Sequence, residues 1–423
     1  MIQRDFYLDR LKARMWDGNI KVITGVRRGG KSTLLFTLFK DYLLSTGVEE
    51  DHIIEIELDR RKYFRFRDPI FLCDRVQEIT ENDKTGKYYL FIDEVQLTQT
   101  AKDKESGIEV TIYDMLNELK ANPNLDCYVT GSNSRMLSSD IATEFRGRSS
   151  RIRVYPLSFA EYFSFRGGAV SEALDEYMLY GGMPGLTNEK TAEQKRAYLK
   201  NLYDEIYLKD LVEHGKIRRE DVLEEVLDYL ASQIGSLTNA NKITASINAK
   251  LSAKIDEGMV SRYLKQTIDA FLIFEAKRYD VKGKKYFDYP NKYYYCDVGL
   301  RNIRLNFRQI DPGHIMENLI YCELLRRGYS VDVGVVEERQ GCTRKAKEID
   351  FVVNDIDKRI YIQSALRMEE PEKAAAEIGS LKLTGDFFKK IVIRNDIPTS
   401  FYDNDGILHA TLTDFLLDRV NLF

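Results

Sequence analysis

The chain has 423 residues, 43% apolar and 31% charged, with a formal net charge of −4. That is room for about two to four domains, each able to bury its own core. The charge gives no global attraction to nucleic acid, so any such binding requires a local basic patch. No apolar run approaches the ~20 residues of a membrane span, so no membrane partner is expected. The five cysteines, Cys73, Cys127, Cys296, Cys322 and Cys342, form no C-x-x-C pair. Scattered cysteines read as free thiols of a reducing compartment. The stretch Met1-Ile2-Gln3-Arg4-Asp5-Phe6 has no apolar signal core. A cytoplasmic protein is therefore expected.

In chain order, a helix over 4–15 carries Phe6, Leu8 and Leu11, and a β-branched run over 20–24 reads as a buried strand. The strand leads into Gly25-Val26-Arg27-Arg28-Gly29-Gly30-Lys31-Ser32, which fits G-x-x-x-x-G-K-[ST] at every fixed position. A helix over 31–45 follows, with Leu34, Leu35, Leu38 and Tyr42 on one side and Gly47 past its end. Strand, glycine loop and helix make a phosphate cradle, because backbone N–H groups close around phosphate oxygens and the helix N-terminus adds its positive end. Gly25, Arg27, Arg28, Gly29, Gly30, Lys31, Ser32 and Thr33 are the nucleotide-binding candidates. Lys31 would reach the β- and γ-phosphates, and the Ser32 hydroxyl would ligate Mg²⁺.

A second strand spans 52–58. The third, Tyr88-Tyr89-Leu90-Phe91-Ile92, ends in Asp93-Glu94. Acids at the carboxyl end of a buried parallel strand face the crevice where open α/β sheets bind ligands. Asp93 would hold Mg²⁺ and Glu94 would orient or deprotonate the attacking water. A fourth strand over 126–130 runs into Gly131-Ser132-Asn133-Ser134, where either Ser132 or Asn133 would position that water; Asn133 is taken as the catalytic candidate.

These motifs, with Arg146-Gly147-Arg148 and Tyr155-Pro156-Leu157-Ser158-Phe159, resemble AAA+ ATPases, and more narrowly a prokaryotic branch whose ATPase module precedes a C-terminal domain of uncharacterised function. The resemblance runs from about Arg4 to the end of the chain. It implies an ATP- and Mg²⁺-dependent module at 1–165 and a helical lid at 166–215. It also implies a homo-oligomer in which Arg148, and secondarily Arg146, reaches a neighbouring subunit's nucleotide, where a guanidinium neutralises charge on the transferring phosphoryl group. Many such lids supply a second arginine. The turn Gly181-Gly182-Met183-Pro184-Gly185 has none, so slow hydrolysis is expected.

Helices over 172–180 and 191–213 form that lid. From 216 to 308 the chain carries 17 Lys+Arg against 12 Asp+Glu. Helices over 221–234, 242–253 and 258–274 precede a basic hairpin turning at Gly283, the order of a winged helix, and the resemblance also places one here. The third helix would bury Val260, Leu264, Ile268 and Phe271 and show Ser261, Arg262, Lys265 and Gln266. On DNA, Arg262 and Lys265 would face the major groove, with Lys282, Lys284 and Lys285 on phosphates. The alternative is a winged helix that contacts protein.

At 309–423 a helix over 314–327, three strands, a helix over 372–383 and a strand over 390–394 follow the core order of the PD-(D/E)xK nucleases. Glu317, Asp350 and Gln363 fall at that superfamily's metal-ligand positions. Gln363-Ser364-Ala365 stands where its E-x-K belongs, so the lysine is missing; Arg367, Lys345 and Lys347 are the nearby cations. A non-cutting, nuclease-like binding or assembly domain is expected. The fold class is thus α/β: a three-layer P-loop domain, a helical lid, a winged helix and a C-terminal α/β domain. The function expected is Mg²⁺-dependent ATP hydrolysis coupled to a DNA or protein partner. The alternatives are a nucleotide-controlled DNA-binding regulator with little turnover and an ATP-dependent nuclease.

Overall fold

The computed structural model describes residues 2–131 and 149–423, apart from 84–85, 104–105, 209–210, 213–216, 252–253, 341–342, 356–357 and 369–370. The chain divides into two compact units, residues 1–155 with Asp269–Phe271, and the remainder. Among the described residues no helix is long and apolar enough to cross a membrane.

The first unit is built on five strands, β1 (Ile20–Gly25), β2 (Ile53–Glu57), β3 (Tyr88–Asp93), β4 (Leu125–Gly131) and β5 (Ser149–Val154), all parallel, in the order β2-β3-β4-β1-β5. Every residue of β1, β3 and β4 is buried. Such strands read as continuous apolar runs because helices cover both faces of a parallel sheet. On one face Val22, Leu90, Ile92 and Val129 pack with Leu72 and Val76 of α2 (Pro69–Asn82) and Leu116 of α3 (Ile112–Leu119). On the other, Ile23, Phe91 and Tyr128 meet Leu34, Leu38 and Phe39 of the post-loop helix and Leu11 of α1 (Asp5–Lys12). Each fully buried side chain of this size is worth about 1.5–3 kcal/mol.

The helix expected over 31–45 is present but not regular. It runs as Lys31–Thr33, a π-helical stretch Leu34–Phe39, and Lys40–Ser45. Leu34, Leu38 and Phe39 stand at i, i+4 and i+5, the spacing a π turn gathers on one side. Phe39 reaches Tyr128 at 4.9 Å and Phe91 at 5.8 Å. All five strands point the same way, so the ends of β1, β3 and β4 open onto one edge of the sheet.

By its packing the first unit runs to Tyr155 and takes in Asp269–Phe271. Past Pro156 the chain bonds within the second unit: Leu157 N donates to Gly182 O at 2.8 Å, and Tyr177 Oη donates to Leu157 O at 2.7 Å. The helices α4 (Phe159–Arg166), α5 (Val170–Tyr180), α6 (Ala192–Asn201), α7 (Glu220–Ser232), α8 (Ala240–Leu251) and α9 (Glu257–Asp269) come next. α9 stops sooner than the expected 258–274. Phe271 takes φ 57°, outside the right-handed helical region, and a strand begins at Ile273. On α9, Ser261, Arg262 and Lys265 are exposed as expected, but Gln266 is buried beside Tyr263 and Thr267. Ile268 is only half-buried.

The basic hairpin pairs β6 (Ile273–Asp280) with β7 (Lys285–Tyr295). Its turn is held by the Asp280 carboxylate, which accepts from Gly283 N at 2.8 Å and Lys282 N at 3.2 Å. It is not a separate ribbon, because β6 pairs in parallel with β8 (Ser330–Gln340). The sheet continues through β9 (Thr343–Asp355), β10 (Lys358–Ala365), β11 (Lys389–Arg394) and the short β12 (Phe401–Tyr402) and β13 (Leu408–Thr411), in the order β12-β13-β11-β10-β9-β8-β6-β7. The expected boundary at 308 therefore separates no two sheets. Helices α10 (Val298–Arg304), α11 (Pro312–Arg327), α12 (Pro371–Lys382) and α13 (Leu412–Leu416) complete the unit. β9 runs antiparallel to both of its neighbours, β8 and β10, and β11 is parallel to β10.

Candidate nucleotide site and a C-terminal carboxylate cluster

The loop between β1 and Lys31 is shaped by glycine where no other residue fits. At Gly25 φ is 137°, and a Cβ there would lie 2.0 Å from Val154 O. Gly30 takes φ 91° at the entrance to the helix. Arg4, from the residue preceding α1, braces the loop from behind: its guanidinium is buried and donates to Gly29 O and to Tyr155 O, each at 2.9 Å. Lys31 is 4% exposed, and its Nζ donates to Gly25 O and Val26 O at 3.1 Å each. Burial lowers its pKa, and the nearby Glu94 and Asp93 carboxylates oppose that shift. Arg27 is half-buried and close enough for its charge to act on Lys31, whereas Arg28 and Thr33 are exposed.

Asp93 ends β3 with its carboxyl buried. Burial raises its pKa against hydrogen bonds from Thr130 and Ser32. The expected metal-binding pair, Ser32 and Asp93, is thus brought close together at the loop. Both offer hard oxygen donors of the kind Mg²⁺ takes, with Lys31 beside them for phosphate. Glu94 follows in the left-handed region at φ 54°, an arrangement that costs of order 1 kcal/mol or more for a non-glycine residue. Its backbone N–H donates to Thr130 Oγ1 at 3.1 Å, and its carboxylate accepts from Gln96 Nε2.

Two residues at this edge were not singled out from sequence. Thr130, at the end of β4, joins Asp93 to the Glu94 backbone. Its position two residues before Ser132 in a strand-ending polar run was the available signal. Gln96, two residues past Glu94, carried none beyond proximity. The candidates Ser132, Asn133, Arg146 and Arg148 lie outside the described residues.

The second unit holds another group of acids. Glu317 on α11 and Asp350 on β9 come together as expected, with Gln363 of β10 beside Asp350. At their centre is Lys292 of β7, which no pattern in its neighbouring sequence marks out. Its Nζ lies 2.7 Å from Glu317, 2.7 Å from Glu348 and 3.5 Å from Asp350. Burial acts against the Glu317 carboxylate, but Lys292, His314 and Tyr294 hold its pKa below the ordinary value. Burial, and then the Glu317 charge, raises that of Asp350. Lys347 instead faces Glu338 at 3.7 Å.

A family profile described as an AAA domain matches residues 17–163, and a domain of unknown function matches residues 171–311. The second match covers most of the stretch read above as lid and winged helix. An uncharacterized protein of Haemophilus influenzae is 31% identical over 427 residues, covering 99% of both chains. An uncharacterized protein of Methanocaldococcus jannaschii is 28% identical over 421 residues, covering 96% of this chain and 87% of its own. A solved Walker-type ATPase of Pyrococcus abyssi is similar to 72% of this chain and 96% of its own, at 16% identity and a TM-score of 0.46. With a P-loop and a β3 carboxylate at one edge of a parallel five-stranded sheet, and with a relative matched end to end, the chain belongs to the family of that Haemophilus influenzae protein, a P-loop family whose first module is an AAA domain.

Proposed function

We propose that the first unit binds ATP with Mg²⁺ and hydrolyses it, and that the second unit couples this cycle to a DNA or protein partner. The observation that carries the proposal is the buried Asp93 carboxylate at the end of β3, with the Ser32 hydroxyl and the Lys31 ammonium close to it at the loop. Backbone N–H groups of residues 27–31 would cradle the phosphates and Lys31 would neutralise the β/γ oxygens. Ser32 and Asp93 would hold Mg²⁺, which screens charge on the phosphate oxygens. Glu94, oriented by Gln96 and by its own strained backbone, would take the proton of the attacking water. Asn133 and, from a neighbouring subunit, Arg148 complete the proposed site. Phosphate release from Mg²⁺-ATP by the purified protein, with and without DNA, tests the reading, and no release under either condition favours the non-hydrolysing switch.

The segment 216–308 has the element order of a winged helix, and the lysines at the hairpin turn, Lys282, Lys284 and Lys285, are exposed. If they bind nucleic acid they do so through phosphates and without sequence preference. Replacing all three by Ala is expected to weaken DNA binding uniformly and to flatten log Kd against log salt by about 0.9 per lost contact. An unchanged slope assigns these lysines to a solvated surface and leaves a protein partner.

The segment 309–423 is read as nuclease-like in its order of elements but not as a nuclease. Linear and supercoiled DNA, incubated with the protein, ATP and either Mg²⁺ or Mn²⁺, should stay intact. Cleavage abolished by Asp350→Ala would instead make the protein an ATP-dependent nuclease.

A further inference from the structure

The donors of the C-terminal cluster do not fit a divalent cation, and the reason is one side chain. Lys292 is 4% exposed, and its ammonium has three N–H groups to give. Three carboxylates surround it, those of Glu317, Glu348 and Asp350, at 2.7, 2.7 and 3.5 Å. The oxygens of Glu317 and Asp350 have further partners. Glu317 Oε1 accepts in addition from Tyr294 Oη at 2.6 Å, and Glu317 Oε2 lies 3.7 Å from His314 Nδ1. Asp350 Oδ2 accepts from Ser364 N at 2.8 Å. Gln363, at the third ligand position, accepts from Asp350 N with its Oε1 and donates to Glu377 at 2.6 Å with its Nε2. Mg²⁺ requires near-octahedral oxygen ligands at 2.0–2.1 Å and Mn²⁺ suits the same donors. An ammonium within ion-pairing distance of all three carboxylates fills the centre such an ion would need.

We infer that Lys292 is a counter-cation built into the chain, standing where a metal ion would otherwise balance Glu317, Glu348 and Asp350, so that the wild-type cluster takes no divalent ion. The inference rests on the reading of 309–423 as nuclease-like and non-cutting, and gives that reading a cause. It also assigns Lys292 a second effect. By bonding to α11 and β9 from β7, it ties the hairpin to the helix and strand that carry the acids.

The test is Mn²⁺ uptake by nucleotide-free protein, followed by the loss of the free-ion electron-spin signal. Wild type and Asp350→Asn are expected to bind the same number of ions. Lys292→Ala, which vacates the centre and leaves its carboxylates unbalanced, is expected to bind one more than wild type. That ion should disappear in Lys292→Ala/Asp350→Asn. Mn²⁺ at ten times its dissociation constant should raise the melting temperature of Lys292→Ala by about 3 °C more than that of wild type. Lys292→Gln serves in its place if the alanine variant does not fold. An ion lost between wild type and Asp350→Asn would overturn the inference, because metal and lysine would then coexist. So would a folded Lys292 variant that takes up no additional ion. DNA cleavage is read in its own assay, so the inference and the non-nuclease reading can fail separately.

Discussion

A Lys31→Ala variant is expected to lose ATP affinity by roughly 10²-fold while keeping its melting temperature. Affinity falls because the ammonium would make charge-assisted hydrogen bonds to two phosphates, each worth about 1.5 kcal/mol at the low end, and 1.4 kcal/mol is a factor of ten in Kd. Stability holds for a different reason. Lys31 is nearly buried, and among the described residues its N–H groups meet the carbonyls of Gly25 and Val26. Burial disfavours its charged form, so the folded loop carries a cost that alanine removes. The two measurements together separate a nucleotide role from a structural one. Titration with ATP showing wild-type affinity in a folded variant would refute the nucleotide assignment.

Glu94→Gln should leave ATP binding unchanged and slow hydrolysis by about 10²–10⁴-fold, the range for a lost general base. The substitution keeps the shape of the side chain, and an amide oxygen still accepts from Gln96 Nε2 as the carboxylate does. The backbone bond from Glu94 N to Thr130 Oγ1 does not involve the side chain at all. What changes is the capacity to take a proton. Phosphate release under single-turnover conditions reads the chemical step, and equal rates in the two proteins exclude Glu94 as the base. Loss of binding together with hydrolysis would assign the residue to the architecture of the β3 edge instead.

The nucleotide loop was legible because its requirements are local. A glycine that must take φ 137° against a neighbouring strand, then a lysine and a serine six and seven positions on, leave a fixed spacing in eight consecutive residues. Asp93 was legible because an acid after five apolar residues marks the end of a buried strand. Thr130 and Arg4 were not, since what each does depends on residues 37 and 25 positions away in sequence. Lys292 is the clearest case. It lies in a tyrosine-rich strand whose local pattern says only hairpin, and its partners arrive 25 residues later and beyond. The overrun of α9 has a different origin. Residues 268–274 are as apolar as a helix face, and their periodicity cannot foretell the positive φ of Phe271, which the surrounding structure imposes. The burial of Gln266 misled for the same reason: side-chain polarity was read as exposure, and tertiary packing overrode it.

The parallel pairing of β6 with β8 governs how this chain can be divided. Val333, Gly334 and Val335 of β8 are held by Arg278, Tyr279 and Asp280 of β6, and Val333 and Val335 are buried. A fragment starting after residue 308 would leave that side of β8 as a bare sheet edge, with unpaired N–H and C=O groups beside apolar side chains. Such an edge is a template for pairing with other chains, so the fragment would tend to self-associate. Any shortened form meant to stay monomeric has to carry the hairpin along with the acids.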